Sequence, residues 1–550
     1  MGELTGSAIL AKALRRQGCD ELFFLMGGPM LLAETECANE GIRMIDVRHE
    51  QAAAMMAHAY ARLRTKPAAC MAASGPGVTN LVTGLCNALV DCTPVVAIGG
   101  CSPVSQFGKD VFQEIDQMRI MEGCVKWSAR VYDPRRIPEI VDIAFQQAMA
   151  SKPGPVYIDM PGDVLYMKVP EEEIDWTTSG RPLLRSRPAG QQDLIEDTAR
   201  MLATSERPVI VSGSGILWSE ASETMHRFVD ASGIPFYTTP QGRGVVPEDH
   251  PWHYATMRST AFREADCILI LGTRLNYIVG HAAPPRFNSE ARIVRIDIDQ
   301  TEIAQSPRPI DIGIVADART ALEQLIEAID GRFDADRFRV WRDRLAEGEA
   351  EKRAGPGGNA LSDDTPIHPL RLCEEVKNFM DRDAILVVDG QEILNYGRQS
   401  MPTYAPGHRL NSGPFGTMGV GLPYAIGAKV AKPDKQVICV HGDGSLGLNA
   451  MELEAAQRQS IPVLVVVSCN GGWTADPGRE KIGRDLGYVR FDKIAEALGC
   501  YGEQVEEPGD IRAALERGQA EVDKGRVAVI NVVTDYRARA GTVAFAQYST

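Results

Sequence analysis

Residues 436–472 read QVICVHGDGSLGLNAMELEAAQRQSIPVLVVVSCNGG, and this stretch decides the fold. A short β-branched run (QVICVHG) ends in Gly442-Asp443-Gly444-Ser445. A helical pattern follows, and a second apolar run (PVLVVVSC) ends at Asn470-Gly471-Gly472. Strand, helix, strand predicts a parallel pair whose C-terminal ends share one sheet edge, the edge at which open α/β sheets bind ligands. Asp443 and Asn470 then meet there. A carboxylate, an amide oxygen and a backbone carbonyl are hard oxygen ligands suited to Mg²⁺ or Ca²⁺. Glycines at the start of the helix let backbone N–H groups approach a diphosphate. The competing reading is a pair of tight turns without a ligand, and the Asn-Gly-Gly 27 residues after Asp443 tells against it.

The same rhythm runs outward in both directions. PVVAIGG, PVYIDMP, RPVIVSGSG, CILILGTR, RIVRIDID, AILVVDG and VAVINVVTD are short continuous apolar runs separated by helical patterns. Strands that read this way lie in parallel sheets covered on both faces, so the fold class is α/β, with several doubly wound sheets. Polar, Gly- and Pro-containing stretches at 166–192 and 345–366 read as linkers. They predict domains at 1–168, 190–345 and 366–550, within the three to four that 550 residues allow.

Composition narrows the class. With 58 Lys plus Arg against 73 Asp plus Glu, the net charge is −15, which repels nucleic acid and anionic membranes. No stretch has the apolar length of a membrane span, and the amphipathic N-terminus is not a signal peptide. The 12 cysteines stand singly, without a Cys-x-x-Cys, and read as reduced core residues of a cytoplasmic protein.

Two further groups of residues carry chemistry. Glu50 opens the Ala-rich pattern RHEQAAAMMAHAYARLR, where a carboxylate also complements a helix dipole. Ala73-Ser74-Gly75-Pro76-Gly77-Val78-Thr79-Asn80 and, later, Gly416-Thr417-Met418-Gly419 are Gly-rich loops entering helices. In the middle block Arg274, Asp297 and Asp317 each follow a strand. Acids there can hold ribose hydroxyls and a guanidinium can hold phosphate; a domain without a ligand is the other reading.

Taken together these motifs resemble thiamine diphosphate-dependent enzymes across essentially the whole chain. Within that family the chain is most similar to 2-hydroxyacyl-CoA lyases and oxalyl-CoA decarboxylases, with acetolactate synthases further off. The resemblance implies a pyrimidine-binding, a central and a diphosphate-binding domain. It implies thiamine diphosphate and Mg²⁺, with Asp443, Asn470 and the Gly472 carbonyl as metal ligands. Cys469 departs from the usual Asn-Asn pair, at the position that does not ligate. Glu50 becomes the carboxyl group that drives the cofactor's aminopyrimidine into its imino tautomer. Pro76, Asn80, Gln391, Glu392, Gly416, Met418, Gly442, Gly444 and Ser445 are implied to contact the cofactor. Gln113, in Phe112-Gln113-Glu114, is implied to meet the substrate hydroxyl or carbonyl, against a plain loop reading.

The implied reaction cleaves the bond between carbons 1 and 2 of a 2-hydroxyacyl-CoA, giving formyl-CoA plus an aldehyde or ketone, with reversal as an acyloin-type condensation. Oxalyl-CoA decarboxylation and acetolactate synthesis are the alternatives. Arg409 is expected to meet the CoA arm. The tail with Arg537 and Arg539, joined by Glu480, Lys481 and Arg484, is expected to form a lid. The central domain is expected to take ADP, FAD or the ADP part of CoA. Glu50 and Asp443 fall in different domains, which the family usually joins across two subunits, so the resemblance implies a homodimer as the minimal unit and a homotetramer as the assembly.

Overall fold

A computed structural model describes residues 2–540 apart from 332, 335 and 355–357. Three parallel sheets follow one another along the chain. The first has six strands in the spatial order Arg43–Asp46, Glu21–Leu25, Ala68–Ala72, Val95–Cys101, Val156–Pro161, Trp127–Arg130. The second has five: Phe236–Thr238, Pro208–Ser212, Cys267–Leu271, Arg292–Asp297, Ile312–Val315. The third has six: Arg409–Leu410, Ile385–Asp389, Val437–Gly442, Leu464–Cys469, Ala528–Val533, Tyr501–Val505. Every pairing within them is parallel, and the central strands are buried throughout, as their unbroken apolar runs require.

Five helices carry the site: α1 (Glu50–Arg64), α2 (Pro76–Val90), α3 (Gly421–Ala431), α4 (Asp443–Asn449) and α5 (Glu452–Arg458). Helix α1 is buried on nearly every face, because its Ala and Met side chains are small or adaptable enough to be packed all round. It lies between α2 and α3, and a single apolar cluster runs from Ala52, Met56 and Leu85 to Tyr424, Ala425 and Val465. The first and last sheets therefore share one core.

Both expected linkers hold more structure than their polar composition suggests. Lys168–Pro170 pairs antiparallel with Glu3–Thr5, Ile174 is buried in the N-terminal core, and Trp176 and Leu183 pack against it. The N-terminal unit thus runs past 168, anchored by a few apolar residues in a polar stretch. A helix at Arg339–Ala354 crosses the expected boundary at 345, burying Trp341 and Leu345 against the central sheet beneath a charged outer face. The end of the expected lid, 541–550, lies outside the described residues. Among the described residues no helix is long and apolar enough to cross a membrane. All 12 cysteines are free, and all but Cys86 and Cys92 are buried.

Candidate active site

Three neighbouring strands of the third sheet end side by side at Asp389, Gly442 and Cys469, and the loops beyond them make a cleft. Gln391, Glu392, Met418, Gly442, Asp443, Gly444, Ser445, Asn470 and Gly472, nine of the expected cofactor residues, line it. Asp443, 3% exposed, starts α4. Its Oδ1 accepts the Gly444 N–H (2.8 Å) and its Oδ2 the Gly472 N–H (3.0 Å), while Asn470 Oδ1 shares that Gly472 donor (3.2 Å). Two hard oxygens thus converge on one backbone amide. Burial pushes the Asp443 carboxyl up to about 6, against the pull of these N–H groups. A divalent cation bound there would favour the ionised form instead, so the donor set fits an oxygen-seeking metal.

The loop that supplies Gly472 is held from behind by Arg484, whose guanidinium donates to the carbonyls of Gly471, Asn470 and Thr474 at 2.7–3.0 Å. Gly472 itself is forced: a Cβ there would stand 2.2 Å from the Arg484 carbonyl oxygen. Arg484, expected in the lid, is instead buried as the brace of this loop.

Two residues beneath the cleft escaped sequence reasoning. His441 Nε2 accepts the Leu422 N–H (3.1 Å), so its Nδ1 is the protonated nitrogen facing Ser445 Oγ (2.8 Å). Burial holds this imidazole below its usual range and hence neutral. Asp389 Oδ2 accepts the Gly421 N–H (2.9 Å). Together they tie the first turn of α3 to the strand ends. A His or Asp at the end of a strand was the available signal.

At the edge of the first sheet, Glu50 begins α1, 7% exposed, with His49 as its N-cap through Nδ1. Asn80, from α2, donates to Glu50 Oε2 (2.8 Å). Gln113 has a left-handed backbone (φ +61°), and its Oε1 accepts the Ser74 hydroxyl (2.7 Å) above the Gly75-Pro76 entry to α2. The structure brings Glu50 and Asn80 together, and sets Gln113 on Ser74. Among the described residues, those that line the cleft around Asp443 fall between 369 and 473, and neither Glu50 nor Gly416 is one of them.

A second cleft, of about 260 Å³, lies between the first and second sheets, and Arg274, Asp297 and Asp317 all line it, with Lys152, Arg185 and Arg187. Arg274 donates to the Val90 carbonyl across the domain junction. Asp317 caps the helix Ala318–Ile329 and takes the Ser219 hydroxyl (2.8 Å), so its oxygens are engaged structurally. Burial pushes Asp297 up to about 6.

The remaining basic residues part company. Arg409 is 1% exposed, with Nη1 directed at the Met401 carbonyl, and burial holds it well below its usual range. On this buried strand Arg409 does not reach an exposed CoA arm, and its Nε and Nη2 are buried without a hydrogen-bond partner among the described residues. Arg537 pairs with Asp535 (2.9 Å), and Arg539 is exposed. Glu392 Oε2 accepts the Ala540 N–H (3.0 Å), so the start of the tail reaches the diphosphate cleft.

The sequence did not single out an arginine seam between the second and third sheets. Arg258, Arg286, Arg398 and Arg243 crowd together there with Arg409. Arg243 pairs with Glu248, while Arg258 Nε and Nη2 and Arg398 Nε are buried without a hydrogen-bond partner. Burial, and then its cationic neighbours, depress Arg258 to about 10. One His/Asp trio also clusters, His226, Asp230 and His250. His250 Nδ1 accepts the Trp252 N–H, however, which puts the proton on the Nε2 that faces Asp230. That is the wrong tautomer for a metal ligand.

Comparison with known proteins agrees with this arrangement. Residues 4–120 match the family described as the thiamine pyrophosphate enzyme N-terminal TPP binding domain, 195–325 its central domain, and 394–532 its C-terminal TPP binding domain. The chain belongs to the thiamine pyrophosphate (diphosphate) enzymes. It is similar to an acetolactate synthase large subunit of Mycobacterium tuberculosis, 33% identical over 96% of this chain and 95% of that protein. It is similar also to a 2-hydroxyacyl-CoA lyase of Arabidopsis thaliana (31%, 97% and 96%) and to 2-hydroxyacyl-CoA lyase 1 of Homo sapiens (29%, 98% and 95%).

Proposed function

We propose that this enzyme is a thiamine diphosphate- and Mg²⁺-dependent 2-hydroxyacyl-CoA lyase, releasing formyl-CoA and an aldehyde or ketone. The observation that carries the choice of substrate is the arginine seam. Several guanidinium groups with unpartnered N–H donors and one paired acid make a site for a polyanion. The phosphates of CoA supply that charge, whereas pyruvate, the substrate class of a synthase, carries a single carboxylate. The second cleft, with Lys152 and Arg274 beside Asp297, suits a nucleotide diphosphate such as ADP.

Asp443, Asn470 and the Gly472 carbonyl would hold the metal, and Gly444 and Ser445 the diphosphate. When bound, the cofactor's thiazolium ring supplies the electron sink for breaking a carbon–carbon bond. Glu50 would hold a proton against the far ring nitrogen of the aminopyrimidine, with Asn80 fixing its other oxygen. Met418 would prop the cofactor. Gln113, steadied by Ser74, would orient the substrate oxygen. Glu50 is not among the described residues that line the metal cleft, which supports its meeting the cofactor from a second copy of the chain, with a homodimer as the smallest complete unit.

The test is incubation with thiamine diphosphate, Mg²⁺ and, separately, a branched and a straight-chain 2-hydroxyacyl-CoA, oxalyl-CoA and pyruvate, with products read by mass spectrometry. Formyl-CoA plus a carbonyl product, absent from Glu50→Gln, is the expected result. Acetolactate from pyruvate, as the Mycobacterium relative's name suggests, or carbon dioxide from oxalyl-CoA alone, would overturn it. Arg258→Ala should raise KM for acyl-CoA at least about tenfold, the size of one charge-assisted hydrogen bond, while leaving cofactor affinity in place.

A further inference from the structure

Glu50 sits at the first position of α1, so its carboxyl goes wherever the chain entering that helix puts it. That entry is held only in part by its own domain, where the Val47 N–H donates to the Phe24 carbonyl (2.9 Å). Side chains of α4 and α5 grip it from the third sheet. Glu452 Oε1 accepts the backbone N–H of both Arg48 (3.0 Å) and His49 (3.1 Å). Asn449 Oδ1 accepts from the Gln51 side-chain amide (2.9 Å), and its Nδ2 donates to the Gly419 carbonyl (2.7 Å) in the loop that presents Met418. Residues on both sides of Glu50 are thus fixed by two side chains of one helical stretch, and that stretch begins at Asp443.

Glu452 is an unusual residue for the task. It is 1% exposed, and among the described residues it faces two backbone donors and no cation close enough for an ion pair, with its Oε2 buried without a partner. A surface acid reaching two amides would need no such burial. An acid placed here, inside the junction, serves the backbone it receives.

We propose that Glu452 is a positioning residue for Glu50: by accepting the Arg48 and His49 N–H groups it sets the start of α1, and Asn449 ties that position to the cofactor loop. This rests on the reading of Glu50 as the group that activates the cofactor. Burial pushes the Glu452 carboxyl up to about 8. At neutral pH it is therefore largely a neutral acid whose carbonyl oxygen accepts, and an amide is its close mimic. Glutamine should do the same work, and methionine, of like length without an acceptor, should not.

Two readouts test this. The first is exchange of the backbone amides of 46–51 in the cofactor-free protein. The second is exchange of the proton on the thiazolium carbon between nitrogen and sulfur, followed by NMR in the thiamine diphosphate–Mg²⁺ holoenzyme. Glu452→Met should deprotect the 46–51 amides and slow the thiazolium exchange by about tenfold to a hundredfold, the scale set by misplacing a reacting group by an ångström. Glu452→Gln should stay within about threefold of the unaltered enzyme, a rescue that a merely space-filling role would not show. Thiazolium exchange in Glu452→Met within about twofold of normal, or in Glu452→Gln as slow as in Glu452→Met, overturns the proposal. Glu452→Asp, which withdraws the acceptor by one methylene, replaces Glu452→Met by the same criteria should that variant not fold. If Glu50→Gln leaves thiazolium exchange unchanged, the role of Glu50 fails instead, and the amide readout alone then decides whether Glu452 holds the entry.

Discussion

Several buried acids lack a cation, and each makes stability depend on pH in a direction that can be worked out. Glu34, in the first turn of the helix Leu31–Asn39, has a buried Oε1 without a partner. Burial pushes its carboxyl up to about 7, and one backbone N–H, from Gly27, opposes that. Its folded pKa lies above its unfolded value, so between about 4.5 and 7 the folded chain binds the extra proton. Its contribution is fully present below about pH 4.5 and is lost as pH rises through 7. Glu34→Gln keeps a carbonyl acceptor and removes the charge. Relative to the unaltered protein, the variant should gain stability between pH 5 and pH 8, by up to about 3 kcal/mol. Thermal midpoints of both proteins at the two pH values check this. A difference that stays constant from pH 5 to pH 8 refutes it. Glu452 adds a slope of the same sign, and it cancels because both proteins contain it.

At the scale of elements, the junction of α1 with α3 is where the chain is least forgiving. Gly427 lies against the carbonyl of Met56, and a Cβ there would stand 2.3 Å from that oxygen. The obstacle is backbone, which cannot rotate aside. Gly427→Ala should therefore cost about 1–3 kcal/mol by overpacking, although alanine is the better helix former. Gly447, in α4, has open space where its Cβ would go, and Gly447→Ala should be neutral or stabilising. Denaturant midpoints of the two variants separate crossing geometry from propensity; equal shifts would sink the distinction. This junction also marks what could be read beforehand. The strands were legible because continuous apolar runs have few other uses, and the meeting of Asp443 with Asn470 because their spacing follows strand–helix–strand, while Gly472 came from the family resemblance. The shared core was not legible, since the Ala-rich pattern of α1 says that it is buried and not by what. The burial of Arg409 was not legible for a related reason. In sequence an arginine looks like a surface charge, and only its 1% exposure on the strand Arg409–Leu410 shows that it lies inside. Arg258, Arg286 and Arg398 are more than a hundred residues apart end to end, and no local pattern announces that they meet.

For the whole molecule, the proposed site draws on two sheets, and on that reading it is completed by a second copy of the chain. Met418 is 38% exposed at the metal cleft, and Phe415, Leu448 and Met451, from the loop before Met418 and the stretch of α4 and α5, are exposed as well. Phe112, beside Gln113, is 86% exposed at the edge that carries Glu50. Apolar rims on both halves of a divided site are what a second copy would cover in a closed, two-fold assembly. The arrangement can be tested without measuring mass. Glu50→Gln and Asp443→Asn should each be inactive alone. In a mixed dimer, one site receives both altered residues and the other receives neither. Co-expression in equal amounts should therefore restore about a quarter of the normal sites, half the dimers being mixed and each having one good site of two. Were Glu50 and Asp443 to act within one chain, every site in the mixture would carry one altered residue and nothing would return. Recovery that disappears when the two variants are purified separately and prevented from exchanging would place the shared site at the interface between copies.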